Sequence, residues 1–133
     1  MATINVVDTH ALLWYLAGDP RLSATAKSVL RDSAREIVVP AIVVAEALFT
    51  IERGKSEAKV ADVWKMLNET ANVRFQSINL EVLRKTDSLR SIPEMHDRQI
   101  VATALLLKEA GSDVVVITRD RVIQDSGLIP TLW

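Results

Sequence analysis

The sequence predicts an α/β domain built on a parallel sheet, and three observations carry that expectation. Short β-branched runs at Ile4–Val7, Glu36–Val39 and Val114–Ile117 read as strands covered on both faces. They alternate along the chain with stretches of helical spacing, the pattern that puts helices on both faces of a sheet. The 133 residues, 49 % of them hydrophobic and 25 % charged, suit one soluble domain that buries roughly two thirds of its unfolded surface. The expected unit is a single domain over 1–133.

Each element follows from local chemistry. Ile4–Val7 ends at Asp8-Thr9, after which Ala11–Leu16 reads as a helix stopped by Gly18-Asp19-Pro20. Ser23 is placed to cap a second helix reaching about Ser33, with Ala26, Val29 and Leu30 facing inward. After the Glu36–Val39 strand, Pro40 fits the first turn of a helix, where its missing N–H costs little; that helix runs to about Arg53 and Gly54 ends it. Ser56–Ala71 has helical spacing through Val60, Val63, Trp64 and Leu67, and Val73–Gln76 is a weakly marked strand. Leu80–Leu89 is predicted helical and broken by Ile92-Pro93. Asp97–Ala110 is a helix striped by Ile100, Val101, Ala104 and Leu105, with Gly111 at its stop. Val114–Ile117 is the clearest strand; Arg121–Asp125 is expected to form a helical turn and Leu128–Trp133 a last strand. Strand order is not visible in this pattern.

Composition narrows the function. With no cysteine there is neither a disulfide framework nor a thiolate metal site, which suits a reducing cytoplasm. The N-terminus lacks a basic lead and Asp8 interrupts its apolar stretch, so no secretion signal is expected. The longest apolar stretch, Ile37–Phe49, is broken by Pro40 and Glu46 and falls short of the roughly 20 residues a bilayer span needs. The expectation is a cytoplasmic protein with no membrane partner. Sixteen basic and 17 acidic residues leave a net charge of -1, against the basic excess of a protein that holds nucleic acid by bulk electrostatics alone. A nuclease whose carboxylates are offset by bound cations is compatible with that balance.

The acidic residues fall where an open α/β sheet places its ligand sites, beyond the carboxyl ends of the strands. Asp8 directly follows the first strand and Asp120 follows Val114–Ile117 by three positions. Asp97 opens the helix that leads into that same strand, and Glu46 lies roughly two turns into the helix after the second. Read singly, each Asp is explained as a helix cap and Glu46 as a surface partner of Arg53 or Thr50. Caps do not explain why all four converge on one rim, where like charges raise one another's pKa unless a cation neutralises them. An oxygen-only set suits Mg²⁺ or Mn²⁺, and phosphodiester hydrolysis is the natural reaction class.

Four segments resemble the motifs of the PIN-domain family, in particular the VapC-type toxins of bacterial and archaeal toxin–antitoxin pairs. They are Val7-Asp8-Thr9-His10-Ala11-Leu12-Leu13-Trp14, Pro40-Ala41-Ile42-Val43-Val44-Ala45-Glu46, His96-Asp97-Arg98-Gln99-Ile100-Val101-Ala102-Thr103-Ala104 and Ile117-Thr118-Arg119-Asp120. The similarity runs from about Ile4 to the C-terminus, and the third segment is its most specific. It implies a three-layer α/β/α PIN-like domain that cuts single-stranded RNA by metal-activated water, leaving 3′-hydroxyl and 5′-phosphate ends. Carried onto this chain, Asp8 and Asp97 are the principal Mg²⁺ or Mn²⁺ ligands, and Glu46 and Asp120 complete the pocket directly or through water. Thr9 and Thr118 orient carboxylates by hydrogen bonds. The resemblance also implies a homodimer held inactive by a small antitoxin protein.

Other residues have two readings. Arg98, Arg119 and Arg121 are candidate contacts to RNA phosphates, against a plain reading as solvated or paired surface. His10 and His96 flank the acids and read as supporting or packing groups; Trp14 reads as core. The helix after the second strand is apolar beyond the needs of one inner face, which suits a partner surface. A rival reading is a catalytically silent PIN-like module that binds RNA or a protein. A phosphatase using Asp8 as nucleophile would want a second Asp two residues on, where His10 stands, and a signal receiver would want an acidic pair after the first strand.

Overall fold

A computed structural model describes residues 3–133, so the expected domain begins two residues before the described part. Five strands form one sheet: β1 (Ile4–Val7), β2 (Glu36–Pro40), β3 (Val73–Gln76), β4 (Val114–Ile117) and β5 (Thr131–Leu132). Every pairing is parallel and the order is β3-β2-β1-β4-β5. All four residues of β1 are buried, as are the last four of β2, so successive side chains on opposite faces are covered. That is the signature of a sheet between two helical layers, the three-layer α/β/α arrangement.

Seven helices are described: α1 (Thr9–Ala17), α2 (Ala24–Arg31), α3 (Ala41–Glu52), α4 (Val60–Glu69), α5 (Leu80–Thr86), α6 (Met95–Glu109) and α7 (Arg121–Asp125). Their ends obey capping chemistry. Asp8, Ser23, Asn79 and Asp120 each accept a backbone N–H three residues on, satisfying donors the first turn leaves orphaned. Gly18 closes α1 at φ +66°, a left-handed conformation that glycine adopts without steric cost. None of the helices among the described residues is long and apolar enough to cross a membrane.

Several boundaries differ from the sequence reading. α6 begins at Met95, two residues before Asp97, because Glu94 caps it by accepting the N–H groups of His96 and Asp97 at 2.8 and 3.1 Å. Pro40 is not inside α3 but one place before it, closing β2 opposite Gln76. The last strand shrinks from the expected Leu128–Trp133 to two residues, because Gly127 turns the chain at φ +67° and Pro130 has no N–H to give the ladder. Pro130 contributes its carbonyl to Val116 N–H instead, at 2.9 Å. α5 stops at Thr86, and the chain to Ile92 continues as single turns, Leu89 N–H to Thr86 and Ile92 N–H to Leu89.

The run Ile4–Val7 also holds a polar residue at its centre. Asn5, almost fully buried, donates its side-chain amide to the Glu36 carbonyl at 3.1 Å and so ties β1 to β2. Its Oδ1 is the buried side-chain oxygen without a protein partner among the described residues.

Candidate active site

Strand order decides what meets at the carboxyl edge. The chain places β2 on one side of β1 and β4 on the other, so the connections diverge from β1 and leave a crevice between β1 and β4. Val7 lies opposite Ile117 in the ladder, so the next residues, Asp8 and Thr118, emerge side by side at that crevice. α3 leaves the same edge and packs against α1, bringing Glu46 to Thr9, whose hydroxyl donates to Glu46 Oε1 at 2.8 Å. α6 packs against α3 and carries Asp97 in its first turn. The result is a hollow of about 560 Å³ lined by Asp8, Glu46, Asp97 and Asp120, the acids singled out in the sequence.

The capping explanations sort out individually. Asp8 and Asp120 do cap α1 and α7, through Ala11 N–H at 2.9 Å and Ile123 N–H at 3.1 Å, so each performs that duty at the hollow's wall. Asp97 does not cap its helix; Glu94 does, which leaves the Asp97 carboxylate unspent. Glu46 takes its hydrogen bond from Thr9, while Thr50 bonds the Glu46 carbonyl and Arg53 lies over the Phe49 ring.

Electrostatics follow from the crowding. Burial pushes the Asp8 carboxyl above its ordinary value, and Asp120 adds to this. Hydrogen bonds from Thr118 and the Ala11 N–H, with His10 nearby, pull it back in part. Asp97 is pushed up to about 7, first by burial and then by the charges of Asp120, Glu94, Glu46 and Asp8. Asp97 therefore feels all three other acids singled out in the sequence. Four groups, none nearer another in sequence than the 23 positions from Asp97 to Asp120, act there as one charged cluster.

The donor set fits a hard divalent cation held partly through water. Among the described residues no three His, Asp or Glu side chains converge tightly enough to seize one ion by themselves. Mg²⁺ dehydrates reluctantly and is commonly held by one or two carboxylates and several waters, which is what an open acidic hollow offers. Asp8, Glu46, Asp97 and Asp120 are the carboxylates of that hollow able to offer it oxygens, directly or through water.

Of the supporting residues, Thr9 donates to Glu46, and Thr118 accepts the Asp120 N–H at 3.0 Å while bonding Asp8. Thr9→Val is expected to lower activity about tenfold, the usual effect of losing a group that orients a ligand, with little change in melting temperature. Unchanged kinetics in that variant would remove Thr9 from the site. The arginines diverge. Arg119 lines the hollow; Arg98 turns away and donates to the Ile92 carbonyl, and Arg121 is exposed outside it. Trp14, read as core, is only partly buried and also lines the hollow.

One acid was missed. Glu94 lines the hollow, caps α6 and meets His96 Nδ1 at 2.8 Å, and the same nitrogen lies 3.3 Å from Glu46 Oε2. Pro93 was the available signal, since it bars helix before it and leaves Glu94 as the first residue able to cap.

A parallel α/β sheet with an acidic hollow at its switch point defines the class of protein, an α/β domain with its candidate site at the carboxyl edge of the sheet. The PIN domain family model matches residues 6–127, and the chain belongs to that family. No curated protein matches it. Solved structures of similar fold include VapBC2 from Rickettsia felis bound to a DNA fragment from its promoter, at TM-score 0.70 and 12 % identity over 97 % of both chains. Another is Mycobacterium tuberculosis VapC20, described as a Sarcin-Ricin loop cleaving toxin, at TM-score 0.66 and 18 % identity over 92 % of this chain and 95 % of that one. A toxin–antitoxin complex from Klebsiella pneumoniae aligns at TM-score 0.65 and 17 % identity, over 97 % and 96 %. At these identities the likeness is one of fold.

Proposed function

We propose that this chain is a Mg²⁺- or Mn²⁺-dependent endoribonuclease acting on single-stranded RNA, the toxin of a toxin–antitoxin pair. The observation that carries the reading is the convergence of Asp8, Glu46, Asp97 and Asp120 on one hollow, close enough for Asp97 to respond to the other three. A cluster of like charges without a cation opposes folding, and a bound divalent cation would relieve it. The M. tuberculosis structure, described as a toxin, and the K. pneumoniae toxin–antitoxin complex add support through the shared fold.

Each residue has a duty in the hydrolysis. Asp8 and Asp97 hold the cation, and Thr9 fixes the Glu46 carboxylate that completes the set. When bound, the ion would lower the pKa of a water it holds, making a nucleophile available at neutral pH, and would offset charge on the phosphoryl oxygens. The Thr118 hydroxyl and the α1 cap keep Asp8 in one orientation, so the hollow is arranged before substrate enters. A water gives up a proton to solvent as its oxygen joins phosphorus and the P–O3′ bond breaks, leaving a 5′-phosphate and a 3′-hydroxyl that takes its proton from solvent.

A small antitoxin and a second copy of the chain are the proposed protein partners. Phe49 on α3 and Val60 and Trp64 on α4 are exposed on two helices that pack together, an apolar surface of the kind a protein partner covers.

The test is cleavage of a single-stranded oligoribonucleotide. Activity is expected with Mg²⁺ or Mn²⁺, to vanish in excess EDTA, to return on adding the metal, and to be blocked by the product of a short reading frame beside the gene. Full activity in EDTA would sink the reading. Tight, metal-independent RNA binding without cleavage would favour the silent-module alternative.

A further inference from the structure

We propose that Arg119, held over Trp14 at the rim of the acidic hollow, grips the RNA backbone beside the bond to be cut. The proposal rests on the nuclease reading and supplies what the acids cannot. Carboxylates repel a phosphodiester, so a strand entering the hollow needs a protein cation that those carboxylates have not already consumed. Arg119 meets that requirement. It is exposed and lines the hollow, and among the described residues it forms no salt bridge, although the next residue is Asp120.

Its guanidinium lies instead 5.1 Å from the centroid of the Trp14 ring. A guanidinium attracted to an aromatic face keeps its in-plane N–H groups available, and these match phosphate oxygens in a two-pronged geometry. Trp14 is itself a fixed seat. It packs against the core and meets Trp133 edge-on at 5.8 Å between centroids. Arg21 provides the contrast: it lies over the same ring at 4.8 Å, but Asp19 meets its charge at 2.7 Å and it is outside the hollow. One arginine braces the tryptophan; the other is left for substrate.

The experiment uses the full chain and a labelled single-stranded oligoribonucleotide, followed by steady-state cleavage with Mg²⁺ and by anisotropy in EDTA across a salt series. Arg119→Ala is expected to raise KM about tenfold, the loss of a charge-assisted hydrogen bond, with kcat within about twofold. The slope of log affinity against log salt is expected to fall by about 0.7, one phosphate contact to a single strand. Trp14→Leu should reproduce part of the KM rise, and Trp14→Phe should restore it by keeping a ring under the guanidinium. Arg31→Ala, which removes an exposed charge on α2, is the control and should change neither readout. An unchanged slope and KM in Arg119→Ala, or a loss confined to kcat, would overturn the proposal. A wild-type chain that binds with an Arg119-dependent slope but never cuts would sink the nuclease reading alone. Failure of the wild type both to bind RNA in EDTA and to cut it with Mg²⁺ would sink both.

Discussion

Asp97→Asn is expected to lower RNA cleavage by about a thousandfold while making the metal-free protein harder to melt at pH 8. The loss of rate follows from removing a principal cation ligand, an electrostatic contribution rarely smaller than about a hundredfold. The gain in stability follows from the crowding that makes the site. In the folded chain the Asp97 carboxyl is pushed up to about 7 from an ordinary 3.8, so the unfolded chain gives up this proton first. Protonated Asp97 contributes stability fully below about pH 4, and that contribution drains away as pH rises through about 7. Taken whole, the shift corresponds to about 4 kcal/mol. Solvent reaches this half-buried group, and screening reduces the figure to about 1–2 kcal/mol, a few degrees in melting temperature.

Asparagine carries no charge at any of these pH values. Between pH 5 and 8 the wild-type melting temperature should therefore fall relative to the variant's in EDTA. Added Mg²⁺ should raise the wild-type value and leave the variant nearly unmoved, since only a binding-competent folded state gains from the ion. Calorimetry with and without Mg²⁺ measures both signs. A variant that cuts RNA at the wild-type rate removes Asp97 from the reaction; one that is inactive and also less stable at pH 8 assigns it a structural role.

How much of this was legible depends on what a residue's neighbours in the chain reveal. Asp8 could be placed because Ile4–Val7 ends one residue before it, and a strand end is a local fact. The partnership of Asp8 with Thr118 could not, because it depends on β1 lying beside β4, and β-branched runs do not say which of them pair. Glu46 interrupts an apolar stretch, which is visible locally, but its hydrogen bond comes from Thr9, 37 residues away on a helix packed across from it. Glu94 is not legible as a cap, because capping preferences favour Asp, Asn, Ser and Thr and so point to Asp97 as the helix start. The arginines show the limit most plainly. Arg98, Arg119 and Arg121 are chemically alike and close in sequence or space, yet one is spent on the Ile92 carbonyl and one rests over Trp14. Nothing local to their segments distinguishes them; the tertiary placing of Trp14 beside Arg119 does.

Asp8 allows the structural and chemical duties of one carboxylate to be measured apart. It caps α1 through Ala11 N–H at 2.9 Å, and it stands almost fully buried in the hollow's wall. Asparagine caps a helix about as well as aspartate, so Asp8→Asn keeps the hydrogen bond and removes only the charge. Alanine removes both and leaves a buried N–H without an acceptor, at about 1–2 kcal/mol. If capping were the whole role, Asp8→Asn would cut RNA normally and Asp8→Ala would lose activity only as far as it unfolds. The cation role predicts a different pattern. Both variants should fall by about a thousandfold in kcat/KM, with Asp8→Asn melting above Asp8→Ala by several degrees. Burial holds the wild-type carboxyl above its ordinary value, so Asp8→Asn should also match or exceed wild type in stability near neutral pH in EDTA. Rates and melting curves on the three proteins distinguish the patterns. An Asp8→Asn protein with wild-type activity would mean that the aspartate at the end of β1 is there for the helix alone.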